Sequence, residues 1–274
     1  MTPEFEGIAT YRVLDTSFCV ISDHLDLLQL IDGLYAHCAV DGVPAHIIEI
    51  VSEPDGFCVA VDATVQLRGI AEEALLGRFV WEVNRMVRST PGTRILIHAA
   101  AVEIDGRGVL LCGASGSGKS TLALALVERG ARYLSDEIAA IDDVTMTVSA
   151  YPKPITLRPD SWEFVTSLFP NCPSEVAGLM RDLWFVVPKS ASDETRASLI
   201  VLPNQLVGVG AAIAEVGGDA ALVALCENTH GLRAAGVPMF RRLARIARQS
   251  GALSGSVRSL PEACDAIERR VASI

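Results

Sequence analysis

The sequence predicts an α/β fold, a phosphate-binding core over residues 94–274 preceded by a small α+β unit over residues 1–93. Three observations carry that reading. Apolar runs of strand type alternate with stretches of helical periodicity. A glycine-rich loop at residues 113–120 stands between an apolar strand and a helix. A Pro91-Gly92 break separates the two parts. With 274 residues, half of them hydrophobic and a fifth charged, the chain has the profile of a soluble globular protein with ample core.

In the first unit "IATYRVL" and "SFCVIS" alternate as strands, and "HLDLLQLIDGLYAHC" repeats as a helix. "AHIIEIVS" and "GFCVAVDATVQLRG" return to the strand pattern. The segment "AEEALLGRFVWEVNRMVRS" then places Leu75, Phe79, Val83 and Met86 on one helical face. His24, His37 and His46 sit among apolar segments and read as structural. No catalytic constellation stands here.

From Arg94 the pattern changes. "RILIHAAAVEI" and "GVLLCG" read as two strands of a hairpin joined by "DGRG". "KSTLALALVER" follows as a helix, with Gly130 at its C-terminal stop. "ARYLSDE", "IAAIDD" and "TMTVSAY" are short strands. Farther on, "DSWEFVTSLF" reads as a helix capped by Asp160. "ASLIVLP" and "GAAIAEVG" read as strands, and "MFRRLARIARQ" and "LPEACDAIERRVAS" as closing amphipathic helices.

Residues 113–120 satisfy G-x-x-x-x-G-K-[ST] in its proper strand-to-helix setting. Glycines at 113, 116 and 118 let successive N–H groups converge on a phosphate, and the helix N-terminus adds partial positive charge. Lys119 can reach the β- and γ-phosphates, and the Ser120 hydroxyl can ligate Mg²⁺. The expected nucleotide-binding residues are Gly113, Ala114, Ser115, Gly116, Ser117, Gly118, Lys119, Ser120 and Thr121. ATP and Mg²⁺ are the expected cofactors. ATP and GTP remain alternatives as far as the loop alone can tell.

Asp136 follows Lys119 by only 17 residues, room for one helix and one short strand. That strand must itself carry Asp136 and Glu137 to the phosphates. His98 precedes Lys119 by 21 residues, on a strand hairpinned to the one that feeds the loop. A phosphate cradle, two carboxylates and an imidazole thus share one supersecondary unit. Phosphoryl transfer needs positioned phosphates, neutralised charge and an acceptor for the nucleophile's proton. Asp136 suits the last role, with His98 orienting the transferred group and Glu137 holding the metal. His98 taken alone reads equally as a satisfied core histidine.

The stretch "HAAAVEIDGRGVLLCGASGSGKSTLALALVERGARYLSDE" resembles the catalytic domain of the HPr kinase/phosphorylase family, relatives of the ATP-type phosphoenolpyruvate carboxykinases. The resemblance implies a P-loop core built on a mixed sheet. It puts His98 on the family's active-site histidine, Lys119 on its loop lysine and Ser120 on its hydroxyl metal ligand. Asp136 matches the aspartate that takes the serine proton, and Glu137 replaces a second aspartate. The implied metal residues are Ser120, Asp136 and Glu137. The family's later phosphorylase signature is not recognisable here, which implies a kinase with little phosphorylase activity. The chain is closer to the divergent HPr-kinase-related proteins, some linked to ribosomal peptide maturation, including lasso-peptide kinases. The implied partner is a protein or peptide bearing a serine, and the family's hexamers imply a homo-oligomer.

Downstream, Lys153 and Arg158 in "YPKPITLRPD", and Lys189 after them, are candidate phosphate or substrate contacts. Two other functions stay open: a small-molecule hydroxyl kinase and a non-catalytic nucleotide-binding regulator. A transporter ATPase is excluded, because "ALSGSVRSL" lacks the second glycine and the glutamine of its signature and follows the acidic pair. The net charge of −10 argues against nucleic-acid or membrane-surface partners. Seven scattered cysteines without metal spacing predict reduced thiols and a cytoplasmic location.

Overall fold

The computed structural model describes residues 6–7, 9–90, 92–151, 153–169, 175–180, 183–188, 193–204 and 213–274. The chain divides into two compact units, Met1–Gly92 with Val176–Val187, and Thr93–Glu175 with Pro188–Ile274.

In the first unit, strands Thr10–Val13, Thr16–Ser22, His46–Glu53, Gly56–Val61 and Thr64–Ile70 lie side by side in chain order. Thr16–Ser22 and His46–Glu53 pair in parallel, joined by the helix Leu25–Tyr35, as parallel neighbours require. A second helix, Glu72–Ser89, buries Leu75, Phe79, Val83 and Met86, the four residues its periodicity sets on one face. Its carboxyl end closes where Thr90 N–H reaches Met86 O at 2.9 Å. Phe18 is the hub of an aromatic cluster, with Tyr11, Tyr35 and Phe79 at centroid distances of 5.6–6.0 Å. His24 and His46 have structural partners. His24 caps the first helix through Nδ1, and His46 Nδ1 lies 2.8 Å from Asp62.

The second unit is built on strands β1 (Ile95–Ile97), β2 (Ala99–Ile104), β3 (Arg107–Cys112), β4 (Arg132–Ser135), β5 (Ala139–Asp142), β6 (Thr147–Ser149), β7 (Glu194–Asn204), β8 (Ala214–Glu215) and β9 (Gly251–Ser256). Their main order is β4-β2-β3-β7-β6-β5-β1. The long β7 has β3 on one side, and β6 then β9 along its other. The β3–β7 and β7–β9 pairs are parallel and the other pairs antiparallel, so the sheet is mixed.

The helices are α1 (Lys119–Glu128), α2 (Pro159–Leu168), α3 (Gly218–Asn228), α4 (Leu232–Gln249) and α5 (Leu260–Ala272). Ala99, Ala101, Leu110, Cys112 and Ile200 form one core with Ala221, Leu225, Leu243 and Ile246 of α3 and α4. The alternate residues Ala100, Val102, Val109, Leu111 and Leu199 are equally buried, so both faces of the sheet are covered. In α1 every residue from Leu122 to Val127 is buried, an interior helix rather than an amphipathic one.

Two local expectations change. The apolar stretch 94–104 is two strands, because the chain breaks at His98, whose N–H donates to Asn228 O at 2.7 Å. Asp160 does not cap α2. Pro159 occupies the first helical turn, Arg158 takes the cap position, and Asp160 Oδ1 accepts from Ser161 N–H at 2.9 Å. "GAAIAEVG" lies partly outside the described residues; its described part holds only the two-residue β8. Lys189 and Cys172 also lie outside them.

The aromatic cluster gives a stability prediction for the first unit. Phe79 is fully buried against Phe18 and Tyr35. Phe79→Ala is expected to destabilise that unit by about 3–5 kcal/mol, measured by urea denaturation followed by circular dichroism.

Candidate active site

The sheet topology explains why a phosphate loop and an acidic pair stand so close in sequence. β2 lies between β3 and β4 and runs antiparallel to both, so β3 and β4 end on the same side. The ten residues of α1 carry the chain back by about 15 Å. The four residues of β4 return it by about 13 Å. Cys112 at the end of β3 pairs with Ala99, and Ser135 at the end of β4 pairs with Ala101. The residues just outside those pairs, His98, Gly113 and Asp136, therefore gather at one sheet edge.

The hairpin and the loop take the local forms their residues dictate. Asp105-Gly106 makes the two-residue turn between β2 and β3. Gly116 and Gly118 adopt φ of 78° and 95°, conformations that side chains with a Cβ resist. Lys119 opens α1 and is 7% exposed; its ammonium donates to Gly113 O at 2.7 Å and Ala114 O at 3.0 Å. Ser120 and Thr121 follow in the first turn. Burial pushes Lys119 below its ordinary range, while Asp136, Glu137 and Cys112 pull it back up. The loop lysine and the acidic pair thus share one electrostatic environment. Burial also pushes the Cys112 thiol up to about 12, which leaves it a packing residue rather than a reactive one.

The two acids face different partners. Ser135 Oγ donates to Ile138 O at 2.7 Å and accepts from Ile138 N–H at 3.2 Å, folding a tight turn around the pair. Asp136 is 4% exposed. Its Oδ2 accepts from Lys153 Nζ at 3.2 Å and from Thr156 N–H at 3.0 Å. Its Oδ1 is buried and has no hydrogen-bond partner among the described residues. Glu137 turns instead toward His98, with Oε1 3.4 Å from Nδ1, both side chains about one-third exposed.

The sequence grouped His98, Lys119, Asp136 and Glu137, and the structure brings them to this edge. Lys153 and Arg158 behave otherwise. Lys153 is 1% exposed, and its ammonium bonds Asp136 and Pro154 O, so it is not a free cation for substrate. Arg158 is exposed, paired only with Asp160 at 3.4 Å among the described residues. Sequence reasoning missed Ser135, Thr156 and Asn228. A hydroxyl residue just before an acidic pair is the signal for the first. The other two act through backbone groups, which leave no mark in side-chain identity.

Asp136 fits Mg²⁺. A buried carboxylate oxygen without a partner is the donor a hard cation takes, and Ser120 supplies a hydroxyl from the loop. Among the described residues no three acidic, histidine or cysteine side chains form a cage. Magnesium at a nucleotide needs none, because phosphates and water complete its shell. Beside the loop a cleft of about 760 Å³ is lined by Cys112 to Ser117 and by Asp219, Val223, Glu227 and Asn228 of α3.

Residues 91–156 match the family described as the HPr Serine kinase C-terminal domain. The HPr kinase/phosphorylase of Lachnoclostridium phytofermentans is 32% identical over 98 residues, which cover 32% of this chain and 32% of that protein. That of Lactobacillus acidophilus is 53% identical over 55 residues, 20% of this chain and 17% of that one. A putative HPr kinase/phosphorylase of Fusobacterium nucleatum is 28% identical over 133 residues, 48% of this chain and 21% of that one. These matches span a third or less of the relatives' lengths. The Hpr(Ser) kinase/phosphatase structure from Coxiella burnetii aligns at 16% identity over 65% of this chain and 94% of that chain. Its TM-score of 0.33 is too low to carry a structural argument. The matched segment holds the hairpin, the loop, the acidic pair and Lys153, and over residues 91–156 the chain is HPr-kinase-like.

Proposed function

We propose that the second unit is the catalytic domain of an ATP- and Mg²⁺-dependent kinase that transfers the γ-phosphate to a hydroxyl, a serine of a protein or peptide. A ribosomal natural-product precursor is the peptide class we favour. One observation carries the reading: a buried, unpartnered oxygen of Asp136 at the edge that holds Lys119, Glu137 and His98. A protein that only bound nucleotide would not need a desolvated carboxylate there.

In this mechanism the loop amides and Lys119 hold the phosphates. Ser120, Asp136 and Glu137 would hold Mg²⁺, which would supply neutralisation of charge on the phosphate oxygens. Oδ1, the Asp136 oxygen that Lys153 and Thr156 leave open, would accept the hydroxyl proton. His98, its backbone N–H held by Asn228 O, would orient the transferred group. The loop part of the cleft, Gly113 to Ser117, would receive the phosphates, and Asp219 and Glu227 elsewhere in its lining would favour a neutral or basic acceptor segment carrying the hydroxyl.

The cleft also supports a second reading, a small-molecule hydroxyl kinase, since its volume falls within the roughly 300–1,000 Å³ usual for such ligands. A phosphorylation screen with serine peptides and small alcohols in parallel separates the two by which acceptor is turned over.

Three outcomes are expected. Lys119→Ala should stay folded and lose most ATP–Mg²⁺ affinity or turnover, measured by calorimetry and a coupled assay; wild-type values for both would remove the loop assignment. Asp136→Asn should lower kcat by roughly 10²-fold or more, the range for removing a general base, with ATP affinity within several-fold. Normal turnover with lost affinity would make Asp136 a metal ligand alone. Phosphorylated acceptor with Mg²⁺ and excess phosphate, without ATP, should release little pyrophosphate. Stoichiometric release would show an efficient phosphorylase and leave the kinase reading standing.

A further inference from the structure

Lys153 sits at a position that sequence alone marks as a surface cation between two prolines, yet it is among the most buried side chains of the chain. A lysine is almost never fully buried unless its ammonium is paired. Here the partners are Asp136 Oδ2 at 3.2 Å and Pro154 O at 3.1 Å. The backbone around it is also fixed. Its carbonyl accepts from Tyr133 Oη at 2.8 Å, and its N–H donates to Tyr151 O at 2.9 Å. Tyr133 belongs to β4, the strand whose end delivers Asp136. One four-residue strand therefore holds both members of the pair, the carboxylate through the chain and the lysine through the Tyr133 hydroxyl.

The bonding to Asp136 is one-sided. Oδ2 receives two donors, the Lys153 ammonium and the Thr156 amide, while Oδ1 receives none among the described residues. A staple that served packing alone would be expected to satisfy both oxygens, because a buried acceptor left open is costly. An apolar pair of similar volume would often serve stability as well as a buried ion pair does. The arrangement makes sense if one oxygen is anchored so that the other is aimed.

We propose that Lys153 is a positioning residue for Asp136: by fixing Oδ2 it turns Oδ1 toward the metal and the acceptor hydroxyl, and it does not touch substrate itself. This rests on the kinase reading of Asp136 given above. It assigns Lys153 a role different from the phosphate or substrate contact suggested by its sequence position.

The test uses the full chain with Lys153→Met, which keeps length and removes charge, and Lys153→Arg, which keeps charge. Mn²⁺ binding is followed by electron paramagnetic resonance with a non-hydrolysable ATP analogue, alongside kcat and metal-free ATP affinity. Lys153→Met should weaken Mn²⁺ binding and lower kcat by about 10- to 100-fold, the cost of misplacing a reacting group by up to about 1 Å. Metal-free ATP affinity should stay within about threefold, since the loop is untouched, and Lys153→Arg should restore part of both losses. In an Asp136→Asn background Lys153→Met should add little, because the two changes act on one interaction. If Lys153→Met does not fold, Tyr133→Phe removes only the hydroxyl that anchors the lysine's backbone and should produce the same losses in smaller measure. Wild-type Mn²⁺ affinity and kcat in the folded variant, with Asp136→Asn impaired, would overturn the positioning role and leave the kinase reading intact. Full turnover by Asp136→Asn itself would remove both.

Discussion

The antiparallel placement of β2 between β3 and β4 is the constraint on which the site depends. It makes the strand that feeds the phosphate loop and the strand that delivers the acidic pair end on the same side. A longer or shorter β4 would carry Asp136 past or short of the loop, at about 3.3 Å for each residue added or removed. The same constraint fixes His98, because the residue before Ala99 must lie beside the residue after Cys112. Ligands bind beyond the carboxyl ends of strands in many α/β sheets. In this sheet one local unit, a hairpin, a helix and a returning strand, builds that edge without help from distant strands.

Much of that unit was legible in the sequence, for a physical reason. A two-residue Asp-Gly turn, glycines at 116 and 118, and a stop at Gly130, whose N–H reaches Val127 O at 2.9 Å, are local requirements met by local residues. Their spacing then determines where the acids go. The break at His98 was not legible. Apolar residues flank it on both sides, and no glycine or proline marks it. It exists because Asn228, 130 residues along the chain, supplies the carbonyl that takes its N–H. Lys153 was misjudged for a related reason. Sequence shows a charge between prolines, and only the fold shows that a carboxylate and a tyrosine hydroxyl meet it inside. Arg158, five residues on, has the same chemistry in sequence and the opposite environment.

The acidic pair illustrates how adjacent, similar residues acquire different tasks. Asp136 and Glu137 project from a turn whose geometry Ser135 sets. Successive side chains in such a turn cannot share one direction, so one is buried against Lys153 and the other faces His98 at the exposed rim. Burial makes Asp136 sensitive to its partners and to small displacements, as an orienting group must be. Exposure makes Glu137 tolerant, and its extra methylene relative to aspartate lets it reach His98 across the edge. Replacement of an aspartate by glutamate is therefore better accommodated at the second position than at the first.

Formal charge at this edge is already balanced within the protein. Two carboxylates, Asp136 and Glu137, face two ammonium groups, Lys119 and Lys153, so these four groups cancel before any phosphate enters. With Lys153 committed to Asp136 and Arg158 out at the surface, only Lys119 can follow the phosphates among these cations. A nucleoside triphosphate would bring several negative charges beside two carboxylates that repel it. Loop amides and the α1 N-terminus offset part of that repulsion through partial charges, worth about half a unit at a helix end. In the proposed mechanism a divalent cation would offset the remainder, and the open oxygen of Asp136 would be its protein ligand. On this proposal the carboxylate that would most oppose the phosphates, with its other oxygen held by Lys153, would be the group that brings in their counter-charge.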